Sequence, residues 1–213
     1  MQLAILGELP GRRAQAEMAA GWREKLLAEN PPTKSRDAAV LALLTPVNKG
    51  HCREALLDWH VLLIRRSRYP GVHSGQIALP GGKYEKDDAG LWDTACREAW
   101  EEVGLAKDSF AKSGALSALY VPASSFVIHP FIAVCTKEAE LKADPREVVE
   151  YKNVPMHVFD PDRATTLSIR AQNGAEHVAP AWQYNNFTVW GATAMILAEL
   201  YRLIDKEILV RSI

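Results

Sequence analysis

The sequence predicts an α+β fold: a mixed sheet between helices, with further helices at the N- and C-terminal ends. Three observations carry this expectation. Apolar, β-like runs alternate irregularly with helical segments, without the βαβ rhythm of a doubly wound parallel sheet. Segment 91–103 carries an apolar residue every four positions, the spacing of one helix face. No repeat or Pro/Gly-rich linker divides the chain, and 213 residues suit one domain. Residues 1–213 are therefore read as a single unit, with its core at about 36–165.

The elements follow in order. Residues 11–29 (GRRAQAEMAAGWREKLLAE) are rich in Ala, Glu, Arg and Leu and read as an N-terminal helix, stopped by Asn30-Pro31-Pro32. Two apolar runs, 39–45 and 60–64, flank the polar stretch 48–53 and suggest a hairpin with a long loop. Residues 65–75 (RRSRYPGVHSG) are basic and turn-rich, and a short strand at 76–79 runs into the breaker Pro80-Gly81-Gly82. The 91–103 helix is closed by Gly104, a residue suited to the left-handed C′ position. Residues 115–121 and 126–135 read as strands, and 144–160 as a short polar element leading to Val154-Pro155. Residues 183–190 (QYNNFTVW) read as a last strand and 192–205 as an amphipathic helix, so the C-terminal strand and helix span 183–205.

Composition narrows the function classes. Twenty-five basic residues against 26 acidic ones give a formal charge of −1, which argues against a nucleic-acid polymer or an anionic membrane as partner. Cys52, Cys96 and Cys135 show no CxxC spacing, so they are read as lone buried thiols in a reducing compartment. The first residues lack the basic flank of a signal peptide, and no stretch approaches the about 18 apolar residues of a membrane span. The terminal Arg-Ser-Ile is not a peroxisomal tail. A cytoplasmic protein is the expectation.

The overall balance hides a local excess. Residues 83–102 hold Glu85, Asp87, Asp88, Asp93, Glu98, Glu101 and Glu102 against only Lys83, Lys86 and Arg97. On the helix, Glu98, Glu101 and Glu102 crowd one side of the last two turns, where like charges repel and the helix dipole disfavours anions. Arg97 lies four positions before Glu101 and can clamp it. A solvated acidic face is one reading. The neighbourhood favours another: a Gly-Gly loop precedes the helix, and Arg65, Arg66, Arg68 and Lys83 lie just upstream. Strand alternation puts Arg65 and Arg66 on opposite faces. Oxygen ligands for Mg²⁺ or Mn²⁺ beside cations for phosphate fit phosphoanhydride hydrolysis.

The stretch from Gly82 to Leu105, GKYEKDDAGLWDTACREAWEEVGL, resembles the Nudix box, G-x5-E-x7-R-E-U-x-E-E-x-G-U with U aliphatic. Its second half matches through Arg97, Glu98, Glu101, Glu102, Gly104 and Leu105, whereas Asp88 stands at the first acid and eight residues, one too many, separate it from Arg97. No metal role is carried onto Asp88. Residues 62–82, LLIRRSRYPGVHSGQIALPGG, resemble the motif of the coenzyme A pyrophosphatase branch, L-L-T-x-R-S-x3-R-x3-G-x3-F-P-G-G. Leu62, Leu63, Arg66, Ser67, Gly75, Pro80, Gly81 and Gly82 match, while Ile64, Gly71 and Leu79 replace Thr, Arg and Phe.

The resemblance implies a Nudix-type α/β/α sandwich with its catalytic core at 36–165, and divalent-metal-dependent cleavage of coenzyme A or acyl-CoA to 3′,5′-ADP and (acyl-)4′-phosphopantetheine. It implies Glu98 and Glu102 as ligands of Mg²⁺ or Mn²⁺, with Glu101 a further ligand or held by Arg97, and Gly81 or Gly82 lending a backbone oxygen. Arg97, Glu101 and Glu147 are the catalytic candidates, with Glu98 and Glu150 also weighed as general base. Arg65, Arg66, Ser67, Arg68, His73, Gly81, Gly82 and Lys83 are the substrate-binding candidates. His60, His129 and His157 are read as structural, and Trp92, Trp100, Trp182 and Trp190 as core or interface anchors, leaving Tyr184 or Phe187 to stack an adenine. The terminal helices are compatible with a homodimer. Two rivals stand beside this reading: a Nudix hydrolase of ADP-ribose, a dinucleotide or a nucleoside triphosphate, and a Nudix module that binds without turnover.

Overall fold

The computed structural model describes residues 2–21, 23, 30–47, 56–71, 73–137, 139–170, 176–206 and 208–212. The whole of the long loop expected at 48–53, Cys52 included, lies outside them. The centre is a mixed sheet. Strand β2 (Arg36–Thr45) runs parallel to β8 (Phe126–Cys135), in register from Arg36↔Phe126 to Leu44↔Val134. Burial on both faces explains why β2 reads as a continuous apolar run: Ala39, Leu41 and Leu43 enter one core, Ala42 and Leu44 the other.

Strand β3 (His60–Arg66) pairs with β2 only at Leu44↔Val61 and Thr45↔His60. The two strands then part, and the short strands β4 (Ile77–Ala78) and β5 (Gly81–Lys83) fill the fork, β4 on β3 and β5 on β2. Pro80 lends its carbonyl to Leu41 N–H at 2.8 Å. The expected breaker is thus a wedge inside the sheet. Strand β9 (Val148–Pro155) lines the far side of β3, while β6 (Phe110–Ala115) and β7 (Leu119–Val121) pair with β8.

Helix α2 (Leu91–Val103) covers one face of the sheet through Ala95, Ala99 and Val103, packed with Leu41, Leu62, Ile64 and Phe131. It ends as expected: Gly104 is left-handed at φ 66°, and its N–H and that of Leu105 return to the carbonyls of Trp100 and Ala99. The other face is covered by helix α3 (Gly191–Asp205) and a three-stranded sheet of β10 (Thr165–Arg170), β11 (Glu176–Tyr184) and β12 (Phe187–Trp190). A two-stranded sheet joins β1 (Gln2–Ile5) to β13 (Leu209–Ser212). The α+β sandwich is as expected.

Three elements differ from expectation. The N-terminal helix α1 covers only Gly11–Ala16 before a turn at 17–19; residues 22 and 24–29 of the expected helix are outside the described set. Packing overrides propensity here, because the turn buries Met18, Ala19 and Ala20. The expected strand 183–190 is two strands joined by Asn185-Asn186, with Asn185 at φ 51°, as a two-residue hairpin requires. The strand expected at 115–121 breaks after Ala115, because Ser117 turns its N–H to the buried Glu199 and its carbonyl to Gln15. Glu199 accepts from both Gln15 Nε2 (2.8 Å) and Ser117 N–H (3.1 Å), tying α1 and the β6–β7 turn to α3. Helix α1 packs on α3, which buries 194–201. No helix among the described residues is long and apolar enough to cross a membrane.

Glu199→Ala would remove the acceptor of the part-buried Ser117 N–H and of one N–H of the buried Gln15 amide, whose other bond goes to the Ser117 carbonyl. We expect a loss of about 2–4 kcal/mol in urea unfolding; a change under about 0.5 kcal/mol would show that the network is dispensable.

Candidate active site

The last two turns of α2 bring Glu98, Glu101 and Glu102 to the fork in the sheet. Glu102 is fully buried. One of its oxygens accepts the Gly81 N–H at 2.9 Å and the other accepts Arg66 Nη1 at 3.1 Å. Burial pushes its pKa up to about 8, and the nearby carboxylates of Glu98 and Glu147 push the same way, while Arg66 and the Gly81 N–H oppose them. Glu98 is raised as well, by burial first and then by Glu101 and Glu147, against the pull of Arg97. Two carboxylates, the largely buried Glu98 and the buried Glu102, therefore share one low-dielectric space, with the exposed Glu147 near them and Arg66 at its border.

Arg97 uses all five of its N–H donors within the protein. Nε and Nη2 grip Asp88 at 2.8 and 3.0 Å, Nη1 donates to Glu98 and Glu101 at 3.0 Å each, and Nη2 also reaches the Lys83 carbonyl at 3.1 Å. Arg97, expected among the catalytic groups, clamps the acidic face together. Asp88 completes it: besides Arg97 it accepts from Thr94 Oγ1 at 2.8 Å and from the Glu85 N–H at 3.0 Å. The Arg97 hydrogen bond holds its carboxyl well below the usual range. Both oxygens of Asp88 are thereby committed, in keeping with the metal role withheld from it.

The two fork glycines have different reasons to lack a side chain. Gly81 stands at φ +150°, and a Cβ there would overlap the Ala39 carbonyl and meet Val40 Cα at 2.6 Å. At Gly82 a Cβ would instead overlap the Glu98 carboxylate. One glycine lets the wedge enter the sheet, the other lets a carboxylate lie on the wedge.

The basic segment divides as alternation predicts. Arg66 faces α2 and donates to Glu102 and, at 3.4 Å, to the Gly81 carbonyl. Arg65 points to the opposite face, where it grips Glu150 at 2.7 Å and the Asn186 carbonyl at 2.6 Å and lies 4.9 Å over the Phe187 ring. Arg65 is therefore a brace between β3 and the β11–β12 hairpin rather than a substrate contact, and Glu150 is its partner rather than a base facing the carboxylates. Ser67 fixes the opposing loop, its N–H on the Glu147 carbonyl at 2.8 Å and its Oγ on that of Pro145 at 3.3 Å. His73 is left-handed at φ 69° and bonded to Gln76 at 2.9 Å. Arg68 and Lys83 are exposed and make no ion pair among the described residues.

A cleft of about 1210 Å³ opens beside the carboxylates, between the end of α2 and the chain leading to β9; Glu101 and Glu147 belong to its walls, and so does Trp100. Trp100 is 59% exposed, so the core-anchor reading fails for it, whereas Trp182 is buried with its indole N–H on the Asp160 carbonyl and Trp92 packs edge-on to Phe110 and Phe131. Phe187 is fully buried, and so is withdrawn as a stacking platform.

The donor set suits a hard divalent cation, being all carboxylate and backbone oxygen. Among the described residues no three acidic, His or Cys groups converge to hold an ion unaided. That matches the usual mode of Mg²⁺, which takes one or two carboxylates and completes its shell with water and substrate phosphate. Burial keeps the pKa values of Glu98 and Glu102 raised even though Arg97 and Arg66 oppose it. The sequence left two participants unidentified. Asp88 was visible only as a departure from a motif, and the brace at Asn186 carried no local signal.

Comparison with known proteins agrees with this geometry. Residues 36–178 match the family model described as NUDIX domain. Proteins described as uncharacterized Nudix hydrolase NudL, from Yersinia pestis (strain Pestoides F) and Yersinia pseudotuberculosis serotype O:3 (strain YPIII), are each 32% identical over 141 residues, covering 66% of this chain and 70% of theirs. Among solved structures, the Nudix hydrolase RenU of M. smegmatis shares the fold at TM-score 0.54 and 16% identity, over 84% of this chain and 91% of that one.

The glycines should part under substitution. Gly81→Ala must move backbone and is expected to destabilise by about 2 kcal/mol or more. Gly82→Ala displaces only the end of a side chain, so unfolding should change little while activity falls at least about tenfold. Equal stability losses would contradict the assignment. Asp88→Asn should be less stable than wild type at pH 7. Because the folded-state pKa of Asp88 is depressed, that advantage is complete above the unfolded value of about 3.9 and shrinks as pH falls below it. A gap independent of pH from 7 down to 2 would refute the clamp.

Proposed function

The chain belongs to the Nudix family of hydrolases, which split phosphoanhydride bonds in nucleoside diphosphate derivatives, and from that premise we propose that it cleaves coenzyme A or an acyl-CoA, with Mg²⁺ or Mn²⁺, to 3′,5′-ADP and (acyl-)4′-phosphopantetheine. The observation that carries the reading is the meeting of the Glu98, Glu102 and Glu147 carboxylates beside Arg66, at a fork opened by Gly81 and Gly82. When bound, the divalent cation neutralises the pyrophosphate and makes an attacking water more acidic. Glu98 and Glu102 hold that cation, and Glu101 stands ready as a further ligand. Arg66 holds phosphate oxygens, joined by the exposed Arg68 and Lys83. Glu147 takes the proton of the attacking water at its carboxylate, across the gap from α2. The clamp of Asp88 and Arg97 keeps Glu98 and Glu101 oriented so that little reorganisation accompanies the reaction.

Support for coenzyme A itself comes from residues 62–82, where Arg66, Ser67, Gly75 and Pro80-Gly81-Gly82 match the motif of that branch. A second reading, hydrolysis of ADP-ribose, a dinucleotide or a nucleoside triphosphate, is favoured by Gly71, which stands where the motif has arginine and where a Cβ would press on the Tyr69 ring at 3.0 Å. A binding module without turnover has no use for repelling carboxylates held by an arginine. The thiols suit a reducing compartment, and we place the enzyme in the cytoplasm.

A substrate panel hydrolysed in H₂¹⁸O with Mg²⁺ or Mn²⁺, with products read by mass, tests the assignment. Coenzyme A should yield 3′,5′-ADP and 4′-phosphopantetheine, one of them carrying ¹⁸O. Coenzyme A left intact while ADP-ribose is split would overturn the substrate and leave the class. Glu98→Gln should lose about three orders of magnitude in rate while still binding substrate.

A further inference from the structure

Trp100 lies one position before Glu101 on α2, on the solvent side of a helix whose buried stripe is Ala95, Ala99 and Val103. Fold packing therefore does not account for a large aromatic there. Gly104, four residues on and adjacent on the helix surface, has no side chain to cover the indole, so its flank opens into the cleft. That cleft adjoins the carboxylate site, since Glu101 and Glu147 line it and both act on the Glu98 carboxylate. Beyond those two acids its charges balance, Asp108, Glu140 and Asp144 against Lys137, Lys142 and Arg146. Lys137 is already paired with Asp108 at 2.7 Å and Arg146 with Asp144 at 2.6 Å. Such a lining receives an uncharged ring more readily than a further phosphate. Of the two aromatics considered from sequence, Phe187 is buried beneath Arg65 and Lys152, and Tyr184 belongs to the sheet on the opposite face from α2.

We infer that this cleft is the nucleobase subsite, with the Trp100 indole stacking on the base of a substrate whose pyrophosphate lies at Glu98 and Glu102. The inference rests on the reading that the substrate is a nucleoside diphosphate derivative, and it holds for coenzyme A and for its rivals alike.

Calorimetric titration of AMP in the presence of Mg²⁺ tests it, with inorganic pyrophosphate and 4′-phosphopantetheine as the comparison ligands. Trp100→Ala should bind AMP about tenfold more weakly, the order that base–aromatic stacking supplies, and Trp100→Phe should stay within about twofold of wild type. Pyrophosphate and 4′-phosphopantetheine should bind all three proteins alike. AMP affinity unchanged in Trp100→Ala, no AMP binding by wild type, or a loss confined to 4′-phosphopantetheine would each overturn the subsite. Failure to cleave coenzyme A would overturn the proposed substrate and leave this result intact, since AMP is part of ADP-ribose as well.

Discussion

A carboxylate buried at the C-terminal end of a helix is electrostatically unfavourable, and much of this architecture follows from accommodating Glu102 there. Its partners are the Gly81 N–H and the Arg66 guanidinium. Gly81 can present that N–H only because β2 and β3 part and admit the Pro80-Gly81-Gly82 wedge between them. Arg66 can reach in only because the β3–β9 register shifts between Arg65 and Arg66, at the end of a strand whose alternation turns Arg65 the other way. The helix end, the fork and the basic loop are thus one device. Around it the Asp88–Arg97 clamp restrains Glu98 and Glu101, which would otherwise repel one another and Glu102.

What could be read from the sequence was what is encoded locally. Helix α2 and its Gly104 terminus follow from a four-residue apolar repeat and a left-handed glycine, and both stand as expected. The opposite orientations of Arg65 and Arg66 follow from the two-residue period of a strand. The partners that decide what each arginine does are 85 and 36 residues away along the chain, and no local pattern names them. Arg65 for that reason reads as a phosphate contact, although it braces Glu150 and Asn186. The Asn185-Asn186 turn was encoded locally but lay inside an apolar run that read as one strand. Asp88 is the converse case: as a motif position it looked defective, yet with Thr94 and the Glu85 N–H it anchors Arg97.

Near-neutral overall charge conceals two opposed patches, acids on α2 and at Glu147, cations at Arg66, Arg68 and Lys83. Nudix membership accounts for the chemistry these patches share, while the choice of substrate rests on the residues around them. Gly71 and Trp100 are the positions where this chain most visibly departs from a generic phosphate site: one removes a cation from the basic loop, the other adds an aromatic wall beside the acids.

We propose that Glu98 and Glu102 form a divalent-cation site already assembled by the fold. Titration of the protein with Mn²⁺, followed by electron paramagnetic resonance, measures this directly without substrate or turnover. Wild type should take up Mn²⁺ saturably, and Glu98→Gln/Glu102→Gln should lose that uptake. Undiminished Mn²⁺ binding by the folded double variant would show that these two carboxylates are not the cation's ligands.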